Sequence, residues 1–183
     1  MQRHTSAGTS INAKKLPVLY SKLAKAGVLA HGTGIDFGSG KYTDHLSDFV
    51  SAQGGTMMFY DPYNQPASVN AATLFHRNRS LFCLCSNVLN VIDDDDAVRN
   101  AIRKAVRLGN GIAYFTVYEG DRSGIGKETQ NGLSWQRNQK LRSYGAYCSG
   151  YNVEFSDGMM IVADLQSLEL TEREMWYDET EAS

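Results

Sequence analysis

Between residues 33 and 116 short apolar runs alternate with stretches of helical periodicity, and this alternation constrains the fold more than any other feature of the chain. TGIDF, TMMFY, LFCLCS and GIAYFTVY are too short for buried helices and rich in β-branched or aromatic side chains, so each reads as a strand. KYTDHLSDFVSAQ reads as a helix that turns Tyr42, His45 or Leu46, and Phe49 or Val50 inward. Residues 94–107 place Val98, Ile102, Ala105 and Val106 on one face, with acids first and bases last, which complements the helix dipole. Upstream, residues 12–29 form an amphipathic lead-in helix on Leu16, Leu19, Leu23 and Ala26, with Gly27 as its stop signal. Downstream, SWQRNQKLRSYG reads as a helical stretch, and YNVEF and MMIVA as a hairpin closed by Asp157-Gly158. The order is helix, strand, helix, strand, strand, helix, strand, helix, strand, strand. Such a chain predicts an α/β fold: a mostly parallel open sheet with a C-terminal antiparallel hairpin.

A chain of 183 residues, 42% hydrophobic and 21% charged, can bury one core, so a single domain over 1–183 is expected. The longest apolar run, SLFCLCSNVLNVI, is interrupted by Ser86, Asn87 and Asn90, which predicts no membrane span. The N-terminus lacks the apolar centre of a secretory signal, and the cytoplasm is the expected compartment. Cys83, Cys85 and Cys148 read as small buried thiols, and His4, His31, His45 and His76 show no metal-ligand spacing, so no metal is expected. The tail 165–183 carries six acids against Arg173, which leaves the remaining chain at +3. That charge tolerates a nucleic acid without demanding one.

The turn IDFGSGKYTDH follows the first strand, where an open α/β sheet places its ligand and glycines let that ligand approach the backbone. A dinucleotide, a sulfonium cofactor and no ligand are the alternatives. The dinucleotide fingerprint needs a third glycine where this chain has Thr43. Asp61 closes the second strand 21 residues after Gly40, the spacing at which a carboxylate grips a ribose diol, with Pro62 and Tyr63 beside the adenine. A turn or cap aspartate is the plainer reading of Asp61. Ser86 and Asn87, after the third strand, face the glycine turn as cofactor or substrate contacts; the plainer reading is that Asn87 and Asn90 cap or turn the backbone before the helix. Asp93 to Asp96 read as an N-cap and first helical turn.

DFGSG, FYDPYNQP and CSNVLNVIDD, in this order and spacing, resemble the class I S-adenosylmethionine-dependent methyltransferases; D-x-G-x-G is similar to their motif I, with Tyr42 in place of its third glycine. The pairing of DPY-x-x-P with VLNVI-D narrows the resemblance to DNA phosphorothioation-associated methyltransferases and short methyltransferase-like proteins of phages and prophages. The resemblance covers residues 35 to 107. It implies a Rossmann-like sheet, S-adenosyl-L-methionine as cofactor, and Asp36, Gly38, Gly40, Asp61, Pro62, Tyr63, Ser86 and Asn87 around it. DPY is not read as the catalytic motif of DNA amino-methyltransferases, because it follows the second strand instead of the fourth.

Two departures follow. The 19 residues between Asp61 and Leu81 cannot hold a helix, strand and helix, so the third strand is missing or vestigial, and with it the family's usual adenine-contacting acid. No substrate-recognition domain is read in these 183 residues either, so the lead-in helix and the polar loop 119–133 are expected to hold an acceptor. Asn87, Tyr118, Glu119 and Asp121 are the catalytic candidates, with Arg122 and Lys127 as further substrate contacts. Methyl transfer needs alignment first and a base only for a poor nucleophile. The expected activity is methyl transfer to DNA, RNA, protein or a small molecule. The rivals are a cofactor-binding modulator without transfer and an enzyme that degrades S-adenosylmethionine.

Overall fold

The computed structural model describes residues 15–129, 132 and 134–166. In chain order the elements are α1 (Val18–Lys25), β1 (Thr33–Phe37), α2 (Asp44–Ala52), β2 (Thr56–Tyr60), α3 (Ala67–Phe75), β3 (Ser80–Ser86), α4 (Asp95–Leu108), β4 (Ile112–Thr116), β5 (Lys127–Thr129), β6 (Ser134–Gln136), β7 (Asn152–Ser156) and β8 (Met159–Ala163). Six strands form one sheet in the order β2-β1-β3-β4-β8-β7, and β5 pairs with β6 apart from it. The first four are parallel, whereas β8 runs antiparallel to both β4 and β7. Because β2 and β3 flank β1 on opposite sides, the winding reverses there and opens a crevice at the carboxyl ends of the strands.

Strand alternation sorts the core into two layers. Ile35, Phe37, Cys83, Cys85, Ala113 and Phe115 face α4 and the 3-10 helix Leu141–Tyr147. Phe82, Leu84 and Met57 face α1 and α2, where Leu19, Tyr20, Leu23, Leu46 and Val50 are buried. The three cysteines are free and buried, as read from the sequence. In α2 the inward residues are Leu46 and Val50, whereas Tyr42 is exposed. In α4 the Asp94 carboxylate caps the first turn by accepting from the Ala97 N–H at 2.7 Å, and Asp95 and Asp96 complete the acidic turn. Asp157 and Gly158 both take positive φ in the β7–β8 hairpin turn.

Among the described residues no strand pairs with the outer side of β2, as the short stretch between Asp61 and Leu81 predicts, so β2 is an edge. A helix that the sequence did not announce, α3, covers it. Thr56 and Tyr60 bond towards β1, through Gly32 and Gly38, so Phe59 and Asp61 turn their backbone groups outwards. Thr73 donates its hydroxyl to the Phe59 carbonyl at 2.6 Å. The Asn70 side-chain amide accepts from Asp61 N–H at 2.8 Å and donates to the Asp61 carbonyl at 3.0 Å. Two side chains thus supply bonds that a neighbouring strand would supply, which keeps buried backbone groups paired. Only Thr73 is buried in α3, so no apolar stripe marks the helix in the sequence.

Three expectations are corrected. The lead-in helix starts at Val18, after Pro17 in an extended conformation, and residues 12–14 lie outside the described residues. The loop 119–133 is partly ordered as β5, which pairs with β6. SWQRNQKLRSYG is strand β6, an irregular link and a 3-10 helix, because Ser134, Gln136, Arg137 and Asn138 are buried polar residues that carry no helical apolar pattern. Leu168 and Leu170, expected to pack at the start of the acidic tail 165–183, lie outside the described residues. No helix among the described residues is long and apolar enough to cross a membrane.

Candidate functional site

The glycine turn leaves β1 with Gly38 and Gly40 both at positive φ, 84° and 74°. Gly38 donates its N–H to the Tyr60 carbonyl at 2.7 Å, and Gly40 donates to Asp61 Oδ2 at 3.0 Å. A Cβ on Gly38 would stand 2.3 Å from Val88 Cγ2, so the turn lies directly against the loop after β3. Ser39, between the two glycines, buries its hydroxyl without a hydrogen-bond partner among the described residues. Of the sequence-predicted residues, Gly38, Gly40 and Asp61 thus meet at the ends of β1 and β2, and Val88 brings the loop that carries Ser86 and Asn87 beside Gly38; Asp36 is turned elsewhere.

Asp61 is 3% exposed, and its carboxylate is fully engaged. Oδ1 accepts from the N–H groups of Tyr63 and Asn64 at 2.9 and 3.0 Å; Oδ2 accepts from Gly40 N–H and Asn64 Nδ2, each at 3.0 Å. Four donors fill the four acceptor positions of a carboxylate. In this conformation Asp61 braces the glycine turn against the loop that follows β2, and Gln65 adds a second brace by donating to the Gly40 carbonyl at 2.5 Å. Any hydroxyl reaching Asp61 must displace one of these donors. Pro62 and Tyr63 are exposed on the outer side of the same turn.

Strand alternation aims Asp36 away from α4 and at α1, where Tyr20 donates its hydroxyl to Asp36 Oδ2 at 2.7 Å. Burial pushes the Asp36 carboxyl up to about 7; the Tyr20 hydrogen bond acts in the opposite direction, and the Asp61 charge adds to the rise. Tyr20 itself is raised, first by burial and then by Asp36. The sequence marked Tyr20 only as part of a helix, because an aromatic on an apolar face carries no sign of its polar partner.

Ser86 and Thr116, at the ends of β3 and β4, approach to 3.1 Å through their hydroxyls, and Asn87 donates its N–H to the Thr116 carbonyl at 2.9 Å. Asn87 is exposed at φ 58°, a left-handed conformation that asparagine tolerates better than most residues. Asn90, left by the sequence as a backbone-turning residue, is instead buried and donates to Gln136 Oε1 at 3.1 Å. Its carbonyl accepts from Arg137 N–H at 2.9 Å, which fastens β6 to the loop after β3. Arg137, missed in the sequence, reaches Asp95 at 2.8 Å and Tyr147 at 3.1 Å. Its hydrogen bond is the main cause that holds Asp95 below the usual carboxylate range.

The three remaining catalytic candidates stand apart from the glycine turn, beyond β4. Tyr118 is 65% exposed, with its carbonyl held by Gln136 Nε2 at 2.9 Å. Glu119 accepts from Leu141 N–H at 2.8 Å and pairs with Arg122 at 2.7 Å. Asp121 accepts from Ser123 N–H and pairs with Lys127 at 2.9 Å; hydrogen bonds to Ser123 and then Lys127 hold it well below the usual carboxylate range. Such a carboxylate is a poor proton acceptor. A cavity of about 900 Å³ opens beside Tyr118 and Glu119, two strands along from the glycine turn.

No family model and no curated protein sequence matches the chain. Among solved structures it is similar to the 1,6-didemethyltoxoflavin-N1-methyltransferase of Burkholderia thailandensis, with a TM-score of 0.56 and 14% identity over 86% of this chain and 80% of that one. The fold is that of a class I methyltransferase. The Burkholderia enzyme was crystallised with 1,6-didemethyltoxoflavin and S-adenosylhomocysteine. At this identity the likeness is one of fold, and fold alone does not fix chemistry.

Proposed function

We propose that this protein binds S-adenosyl-L-methionine in the crevice between the glycine turn and the loop after β3, and transfers its methyl group to an acceptor in the cytoplasm. The observation that carries the reading is the turn itself: two glycines at positive φ, with the Ser39 hydroxyl buried and unpartnered between them, at the point where the sheet reverses its winding. The bound cofactor of the similar Burkholderia structure supports it. The Ser39 hydroxyl suits a polar group of such a ligand, whereas the Gly38 and Gly40 N–H groups are engaged by Tyr60 and Asp61 and Asp36 by Tyr20. Tyr63 offers a ring face to the adenine, in place of the acid lost with the third strand.

The sulfonium supplies a methyl group already activated for displacement. The chain's task is then to align the acceptor and exclude water, from the ends of β3 and β4 where Ser86, Asn87 and Thr116 meet. DNA, RNA, protein and small molecules are all open as acceptors, and the sequence resemblance favours DNA. Calorimetric titration with S-adenosylmethionine and S-adenosylhomocysteine tests the cofactor; absence of binding at millimolar concentration rejects it. Incubation with labelled S-adenosylmethionine and fractionated cell lysate then reveals which fraction takes up the label.

One observation favours a second reading, a cofactor-binding modulator that transfers nothing. Glu119 and Asp121 are both already paired, so neither stands ready to take a proton. Binding of the cofactor with no S-adenosylhomocysteine formed in any lysate fraction is the outcome this reading expects.

A further inference from the structure

The cavity of about 900 Å³ beyond β4 is lined by Val117, Tyr118, Lys140, Arg142, Phe155 and Met159, among others, and its size suits a small organic ligand. Its charge is one-sided once local pairs are taken into account. Both carboxylates on its wall are already neutralised: Glu119 by Arg122 and the Leu141 N–H, and Asp157 by Lys22 of α1 at 3.2 Å. Lys140 and Arg142 have no acidic partner among the described residues, and Arg142 lies 5.3 Å from the centre of the Phe155 ring. Tyr118 presents a second ring, 65% exposed although its backbone is tied to Gln136 by a 2.9 Å hydrogen bond. Met159 supplies buried apolar surface at the start of β8.

Two aromatic faces, an apolar wall and two cations without counter-charges are the complement of one kind of molecule. We propose that this cavity binds a planar aromatic compound carrying an anionic group. The ring lies against Tyr118 or Phe155, and the anion meets Arg142 and Lys140 through charge-assisted hydrogen bonds. The guanidinium above Phe155 is already oriented by that ring, so less freedom is lost when it engages an anion. Val117 directly follows Thr116, whose hydroxyl touches Ser86, so the cavity begins one residue beyond the end of β4 that meets β3. That the ligand is the methyl acceptor rests on the function proposed above; its binding here does not.

The test is an NMR titration of the full-length, methyl-labelled protein with uridine 5′-monophosphate, uridine and inorganic phosphate, each with and without saturating S-adenosylhomocysteine. The nucleotide is expected to shift Val117, Leu141 and Met159 and to bind at least about tenfold more tightly than either uridine or phosphate. Arg142→Glu, at an exposed position, is expected to weaken it by about tenfold or more while S-adenosylhomocysteine affinity is unchanged. Nucleotide shifts confined to the glycine turn, equal binding of uridine, or an unaffected Arg142→Glu variant each overturn the proposal. If the nucleotide fills the cavity and S-adenosylhomocysteine does not bind, the cofactor reading fails and the cavity assignment stands. The reverse pattern removes the cavity alone.

Discussion

The side-chain amide of Asn70 pairs with both backbone groups of Asp61, at 2.8 and 3.0 Å, in the way a neighbouring strand would. The same asparagine also reaches the Gln65 carbonyl at 3.3 Å. One residue on a short helix therefore shares with Thr73 the closing of the β2 edge and holds the loop whose carboxylate braces the glycine turn.

Replacing it exposes that dependence. Asn70→Ala is expected to destabilise the fold by about 1–3 kcal/mol, the cost of leaving buried backbone groups unpaired. The freed edge of β2 should also promote association between chains. Urea unfolding and sedimentation velocity across a concentration series measure the two effects.

Asp61→Asn places an amide N–H₂ where the carboxylate now receives donors on both oxygens. Stability is expected to fall by roughly 2–3 kcal/mol, because hydrogen bonds to a charged acceptor are lost. Amide hydrogen exchange at Gly40 should accelerate, and cofactor affinity should drop by about tenfold or more as the turn loosens. Unchanged exchange at Gly40 would separate Asp61 from the turn.

Gly38→Ala meets two obstacles, a φ of 84° and a Cβ that would stand 2.3 Å from Val88 Cγ2. A loss of about 1–3 kcal/mol is expected. Adding Val88→Ala should relieve the clash and leave the conformational cost of about 1 kcal/mol. A double-mutant cycle in urea unfolding isolates the coupling between the two sites.

Asp36 sets a pH dependence. Its carboxyl takes up a proton at about 7 in the folded chain, against 3.8 for the ordinary side chain. Between those values the folded state holds the extra proton, so stability falls as pH rises and levels off above about 7. The contribution amounts to at most about 4 kcal/mol. Asp36→Asn mimics the protonated form and can still accept from Tyr20. Its urea midpoint should change less than that of the parent between about pH 5 and about pH 8.

What was legible in the sequence was whatever hydrophobic periodicity or backbone chemistry signals directly. The buried strands, α4 with its Asp94 cap, the Asp157-Gly158 turn and the lost third strand belong to this class, the last because 19 residues cannot hold three elements. Helix α3 escaped because only Thr73 is buried in it. The segment from Ser134 to Tyr147 was misread because its first buried residues are polar: Gln136 and Asn138 enter the interior through side-chain hydrogen bonds, and Arg137 through hydrogen bonds and an ion pair with Asp95, which leave no apolar stripe.

By itself, then, the sequence determined the strand-helix alternation, the sheet class and the place of the glycine turn, since these follow from local spacing and chain length. Only the tertiary structure decided what each polar side chain does. Asp61 became a brace for Gly40, Asp36 a buried partner of Tyr20, Asn70 a substitute for a strand, and Lys140 and Arg142 cations of a cavity with no acidic partner among the described residues. The physical reason is that hydrogen bonds and charges act across space between residues far apart in the chain. Their partners are fixed by packing, and no periodicity records them.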